Sequence, residues 1–175
     1  FKSSIGSAIS INTIRQYIEY LEDAFIISKA QRYNVKGRKY IGTPLKYYFE
    51  DIGLRNARLG FRQVDETHLM ENIIYNELRY RGYSVDVGVV EKREMSEHGK
   101  QIRKALEIDF VANLGSQRYY IQSALSMPTP EKQIQEKTSL INVADSFKKI
   151  IIVKDIVNVK RDENGIVTMS IYDFL

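Results

Sequence analysis

The stretch that decides the fold runs Ala105-Leu106-Glu107-Ile108-Asp109-Phe110-Val111-Ala112, then Asn113-Leu114-Gly115-Ser116-Gln117, then Arg118-Tyr119-Tyr120-Ile121-Gln122-Ser123-Ala124-Leu125. Two runs rich in β-branched and aromatic residues flank a turn of Asn, Gly and Ser, the pattern of a β-hairpin. Upstream, Met70, Ile74 and Leu78 form an i, i+4 row with Leu69 and Ile73 beside it, which predicts a helix over Thr67–Arg81. Gly82 is its stop signal. Tyr83–Val90 alternates like a strand, and the charged segment Glu91–Arg103, which holds Gly99, reads as an exposed hairpin tip or loop. Downstream, Pro130 opens a helix expected to reach Phe147, with Ile134, Ile141, Ala144 and Phe147 on its apolar side. Lys149–Val153 reads as a buried strand, Asn164-Gly165 as a turn, and Ile166–Phe174 as a last strand. Helices alternating with strands in this order predict a mixed α/β sheet flanked by helices.

The first sixty residues read differently. Ile14, Tyr17, Ile18, Leu21 and Phe25 recur with helical spacing, and Ser10 or Asn12 is positioned to cap that helix. A β-rich run from Phe25 to Asn34, the basic turn Val35–Tyr40 and a return run Leu45–Glu50 follow. Helix, then hairpin with a basic tip, is the order of a winged helix, expected over residues 1–60 and followed by a second domain over 61–175. On that expectation Asn12, Thr13, Arg15 and Gln16 on the helix face nucleic acid, since Asn and Gln suit adenine edges and Arg suits guanine or phosphate. Lys36, Arg38 and Lys39 at the hairpin tip suit phosphates. Glu19, Glu22 and Asp23 on the same helix oppose such contact.

A helix Glu, a strand Asp, a turn, and a strand carrying Glu-x-Lys is the layout of the PD-(D/E)xK nuclease core. Its carboxylates hold Mg²⁺, which prefers oxygen ligands, and the metal activates water while Lys stabilises charge. The helix residue is Glu71 or Glu77, and the strand residue is Asp109. The next strand has Gln122 where Glu belongs and Ala124 where Lys belongs. Glu107 shares the strand parity of Asp109 but cannot replace both. The restriction-endonuclease-like domain is therefore expected to be degenerate, with Glu71, Asp109, Gln122 and Ala124 as vestigial positions, no metal and no catalysis.

Composition narrows the rest. The chain has 175 residues, 43% of them hydrophobic and 27% charged, the balance of a folded globular protein. Zero Cys excludes disulfides, thiolate metal sites and a Cys nucleophile. His68 and His98 stand far apart in sequence and suggest no zinc site. No Gly-x-Ser-x-Gly elbow occurs. The net charge of +4 divides into +5 over residues 1–60 and −1 over 61–175, which directs any acidic partner to the first third. Tyr47-Tyr48 and Tyr119-Tyr120 each predict one core ring with its hydroxyl partnered at the rim. The cluster Lys100, Arg103 and Lys104 reads as solvated. The longest apolar runs are too short to span a bilayer, so neither a membrane nor a secretory route is expected, and a cytoplasmic location is.

Four landmarks in order resemble the C-terminal region of a prokaryotic AAA+-type ATPase family. They are Thr13–Ile27, Lys46–Asn56, Leu69–Tyr83, and Glu107–Ala112 with Tyr120–Ala124. The resemblance covers most of the chain and is specific as a set. It implies a winged helix plus a nuclease-like domain of unknown function, preceded by an ATPase domain. No Gly-x-x-x-x-Gly-Lys-Ser/Thr phosphate loop occurs here, so ATP and Mg²⁺ are implied only for a portion outside these residues. The chain begins with Phe1, and it is expected to be part of a longer protein. The expected role is a non-catalytic recognition or regulatory region that binds nucleic acid or a protein partner, besides its own ATPase domain. The alternatives are a metal-dependent nuclease and an assembly module.

Overall fold

A computed structural model describes residues 9–62, 65–95 and 101–175, apart from the Thr43 side chain. The elements are α1 (Ile11–Asp23), β1 (Ile27–Asn34), β2 (Lys39–Phe49), α2 (Ile52–Arg58), α3 (Glu66–Tyr80), β3 (Ser84–Met95), β4 (Gln101–Leu114), β5 (Gln117–Ala124), α4 (Pro130–Ile141), β6 (Lys148–Val153), β7 (Lys160–Arg161), β8 (Ile166–Ser170) and α5 (Ile171–Phe174). Among the described residues, eight strands form one mixed sheet in the order β2-β1-β3-β4-β5-β6-β8-β7. The mixed α/β class expected from the sequence is what forms.

Caps and turns explain most boundaries. Ser10 caps α1, Asp51 caps α2, Asp65 caps α3 and Thr129 caps α4, each accepting backbone N–H bonds. Gly82, Gly115 and Gly165 take positive φ at the three turns where the sequence placed them. The core has two layers. On one face Met70, Ile74, Tyr75 and Leu78 of α3, with Ile171 and Phe174 of α5, pack on Phe110, Ala112, Ile121 and Ile152. On the other, Leu140 of α4 and Val143 pack on Ile108, Val111, Tyr120, Ala124 and Ile151.

Four expectations are corrected. The segment Glu91–Arg103, expected as an exposed hairpin tip or loop, is strand over Glu91–Met95 and again from Gln101, because the antiparallel pairing of β3 with β4 runs on through Arg93 against Arg103. The helix expected to reach Phe147 ends at Ile141: Asn142 caps it and bonds back to the Thr138 carbonyl, and Asp145 receives the Phe147 N–H to start the turn into β6. The last strand stops at Ser170, whose hydroxyl accepts the Tyr172 N–H and converts the chain to a helical turn. The hairpin expected as the wing of a separate module instead joins the main sheet. β1 pairs in parallel with β3, through Arg32, Tyr33 and Asn34 against Val87, Gly88 and Val89. Among the described residues one helix, α1, precedes the hairpin.

The hairpin β3–β4 carries a bulge that matters for the site. Asp86 pairs with Val111 and Gly88 with Ile108, so Val87 faces both Asp109 and Phe110. Ile108 and Val111 consequently share one face, and Gly88 lies beneath both. A Cβ on Gly88 would sit 2.9 Å from each. The bulge turns Asp109 toward the α3 face.

Candidate functional site

Helix α3 sets the site. Asn72, buried among apolar neighbours, donates to the Phe49 carbonyl (2.8 Å) and accepts the Phe49 N–H (3.0 Å). Asn76, one turn on, donates to Phe49 and Glu50 carbonyls at 3.0 and 3.1 Å. Together they fasten the end of β2 to α3, and that register brings Lys46 and Tyr48 against Glu71. The Lys46 ammonium bridges Glu71 Oε1 (2.8 Å) and Glu107 Oε1 (2.7 Å). Tyr48 donates its hydroxyl to Glu71 Oε1 at 2.6 Å, and its ring stacks on Tyr75 at 4.1 Å. The Arg32 guanidinium holds the other Glu107 oxygen at 2.6 Å. Asp109 Oδ2 accepts the Ser123 backbone N–H at 2.8 Å, and the buried Ser123 hydroxyl has no partner among the described residues.

Burial and bonding move these groups in opposite directions. Asp109 is pushed up to about 7, by burial first and then by the charge of Glu71, with the Ser123 N–H working against both. Glu107 is held below its usual range because Lys46 and Arg32 outweigh the effect of burial. Burial works against the charge on Lys46, but the bonds to Glu107 and Glu71 prevail and raise its pKa. Burial and Glu71 lift the Tyr48 hydroxyl far above its ordinary range, so it stays a neutral donor. A cleft of about 370 Å³ opens beside Lys46 and Glu71, with Arg55 and His68 on its wall.

The vestigial positions do not assemble as the sequence layout expects. Glu71 and Asp109 share the α3 side. Gln122 turns to the opposite side, where its carbonyl accepts the Ser139 hydroxyl of α4 at 3.3 Å, and Ala124 lies in the α4 core. On β5 the residue beside Asp109 is Ser123. Glu77, the other helix candidate, pairs with Arg81 at 2.7 Å instead. Lys46 and Arg32, which the sequence reading passed over, supply the positive charge. Their only local signal is parity with Tyr48 and Ala30, the core residues two positions away on β2 and β1.

The residues fit a bound Mg²⁺ poorly. Among the described residues no group of three or more His, Cys, Asp or Glu converges tightly enough for a metal ion. Lys46 lies between the two glutamates, its ammonium in the place a bound cation would take.

The residues expected to meet nucleic acid form two groups. Asn12, Thr13, Arg15 and Gln16 lie on α1, where Thr13 also bonds to the Ser10 hydroxyl. Lys36, Arg38 and Lys39 lie at the tip between β1 and β2, exposed. The rest of α1 and all of β1 lie between the two groups along the chain. The paired tyrosines divide as expected: Tyr48 and Tyr120 are buried with hydroxyls on Glu71 and Asp145, while Tyr47 and Tyr119 are more exposed. Arg103 and Lys104 are exposed on β4, and Lys100 and His98 lie outside the described residues. No helix among the described residues is long and apolar enough to cross a membrane.

Comparison with known proteins adds boundaries and little chemistry. A family model described as Domain of unknown function (DUF8612) matches residues 2–65. The chain is similar to an uncharacterized protein of Haemophilus influenzae, 35% identical over 143 residues, covering 82% of this chain and 32% of that protein. It thus spans about a third of that relative's length. No solved structure matches the chain. The segment matched by the family model ends at the α3 cap, so Arg32 and Lys46 come from inside it and Glu71, Glu107 and Asp109 from outside it.

Proposed function

We propose that this chain is a non-catalytic recognition region of a larger ATPase, one that binds a nucleic-acid or protein partner and does not cut. The observation that carries the reading is Lys46 Nζ, at 2.8 Å from Glu71 and 2.7 Å from Glu107. A cation from β2 fills the place between the carboxylates of the nuclease-like centre, and Arg32 takes the remaining Glu107 oxygen. Those charges join the edge hairpin to the rest of the sheet. Two carboxylates are used for structure, the third is partly protonated near neutral pH, and Gln122 and Ala124 face α4.

The ATPase setting rests on the landmark resemblance, Thr13–Ile27, Lys46–Asn56, Leu69–Tyr83 and Glu107–Ala112 with Tyr120–Ala124. ATP and Mg²⁺ belong, on this reading, to a portion outside these residues, and the setting is cytoplasmic. The test is incubation of the full chain with supercoiled plasmid and Mg²⁺ or Mn²⁺. No time-dependent nicking is expected. Nicking that Asp109→Ala abolishes would replace this reading with metal-dependent phosphodiester hydrolysis.

A further inference from the structure

At the opposite end of β4 and β5 from Asp109, a half-buried guanidinium has no carboxylate partner. Arg118 lies 5.2 Å from the centre of the Tyr33 ring and 5.5 Å from that of Phe147, and its Nε donates to Asn113 Oδ1 at 2.7 Å. Among the described residues no Asp or Glu comes within ion-pair distance of it, nor of Arg38, Lys148 or Arg161. Arg38 and Arg118 line one groove of about 250 Å³. Lys148 and Arg161 line a second of about 220 Å³. Phe147 forms a wall of both and is 41% exposed. The one carboxylate in the second groove, Asp145, is occupied by the Tyr120 hydroxyl at 2.6 Å and the Phe147 N–H at 3.2 Å.

We infer that these two grooves bind single-stranded nucleic acid, with one base on Phe147 and the flanking phosphates at the arginines on either side. The inference deepens the recognition reading above by naming its ligand, and it rests on that reading. The order cation, exposed aromatic ring, cation matches the repeat of phosphate, base, phosphate along a strand whose bases are unstacked. A duplex hides its base faces and leaves Phe147 without a partner. A run of acidic residues offers carboxylates at the arginines but no flat ring for Phe147. Lys36 and Lys39 flank Arg38 at the hairpin tip and extend the positive surface. The face of α1 with Asn12 and Arg15 takes no part.

The experiment is fluorescence anisotropy of a labelled oligothymidine of about twenty nucleotides with the full chain, in EDTA, across a salt series. EDTA removes any contribution from cutting, which the plasmid assay reads separately. Binding can therefore fail while the non-catalytic reading stands, and the reverse. Phe147→Ala is expected to weaken binding about tenfold with the salt slope unchanged. Arg38→Gln and Arg161→Gln, both at exposed positions, are each expected to reduce the magnitude of the log–log salt slope by about 0.7, the value for one single-strand phosphate. Circular dichroism checks that each variant folds, and the two glutamine variants test the site even where Phe147→Ala does not. Three results overturn the inference: no saturable binding, equal affinity for a duplex of the same length with Phe147→Ala neutral, or full competition by polyglutamate with Phe147→Ala neutral.

Discussion

The β4–β5 hairpin carries opposite electrostatic arrangements at its two ends. Near Asp109 and Ser123, Glu71 and Glu107 each meet a cation at 2.8 Å or closer, and Tyr48 adds a hydroxyl. Near Asn113 and Arg118, four residues along and about 14 Å away, the cations face rings and solvent, with the buried Asp86 near Arg118 but beyond ion-pair distance. The difference follows from burial. Beneath α3 an unpaired charge has little water, so the fold either pairs it, as with Glu107, or protonates it, as with Asp109. At the open end a cation keeps its hydration without a counter-ion and stays available to one. The carboxylate end is built for holding and the basic end, on the inference drawn above, for binding.

Removing the bridge should show the larger effect. Lys46→Met leaves Glu71 and Glu107 partly buried without their shared cation, at a cost of about 3 kcal/mol near pH 7.5. Urea denaturation at pH 7.5 and pH 4 checks this, and the loss should shrink at pH 4, where Glu107 without Lys46 more readily takes up a proton. A change of under about 0.5 kcal/mol would mean that the bridge does not hold the hairpin to the sheet.

Asp109→Asn should move stability the other way. The folded-state pKa of Asp109, about 7, lies above that of the unfolded chain. The folded state therefore binds the extra proton between about pH 4 and 7, and this group's contribution falls as pH rises through that window. The Asn variant, which keeps an oxygen for the Ser123 N–H, should exceed the parent at pH 8 by on the order of 2 kcal/mol and match it below pH 4. Urea midpoints as a function of pH give the comparison. A variant less stable at every pH would place the proton elsewhere.

Much of this architecture was legible along the chain, and the site was legible only in part. The 105–125 hairpin, α3 with its Gly82 stop and the Gly165 turn all rest on local patterns, and they formed. The departures have non-local causes. The β1–β3 pairing joins residues more than fifty positions apart, and parallel pairing leaves no turn between the strands to read. It is this pairing that carries Arg32 to Glu107, and the neighbouring β2 that carries Lys46. The bulge at Asp109 and Phe110 shifts the strand parity by one, so the alternation that assigns Gln122 and Ala124 to the face of Asp109 assigns the wrong side. Glu71 and Asp109 were legible because the order helix Glu, strand Asp, turn, strand is the layout of a nuclease core, a pattern of residue order that needs no assignment of faces. Arg118 was passed over because a strand Arg carries no mark of the two rings that close around it.

At the basic end, Arg118→Gln should cost about 1 kcal/mol, the scale of a cation–π contact at a partly exposed site. Thermal unfolding at low and high salt checks it. The loss should depend only weakly on salt, since two rings and Asn113 hold this guanidinium and the buried Asp86 feels its charge from beyond ion-pair distance, whereas the loss in Lys46→Met should depend on the charge state of its partners. A strong salt dependence at Arg118 would make the two ends alike.

The smallest effect is the most discriminating. Arg38 has a φ of +50° at the hairpin tip, a conformation that costs an L-residue about 1 kcal/mol and glycine almost nothing. The side chain is exposed and forms no ion pair among the described residues, so the fold gains little from arginine there. Arg38→Gly should therefore raise stability by about 0.5 kcal/mol, the relief of strain less the extra entropy of an unfolded glycine. The same substitution should weaken oligothymidine binding and lower its salt slope, because one phosphate contact is gone. A residue whose removal stabilises the protein and impairs binding is retained for the ligand. If Arg38→Gly instead destabilises the fold and leaves binding intact, the tip is structural and the contrast between the two ends loses its functional half.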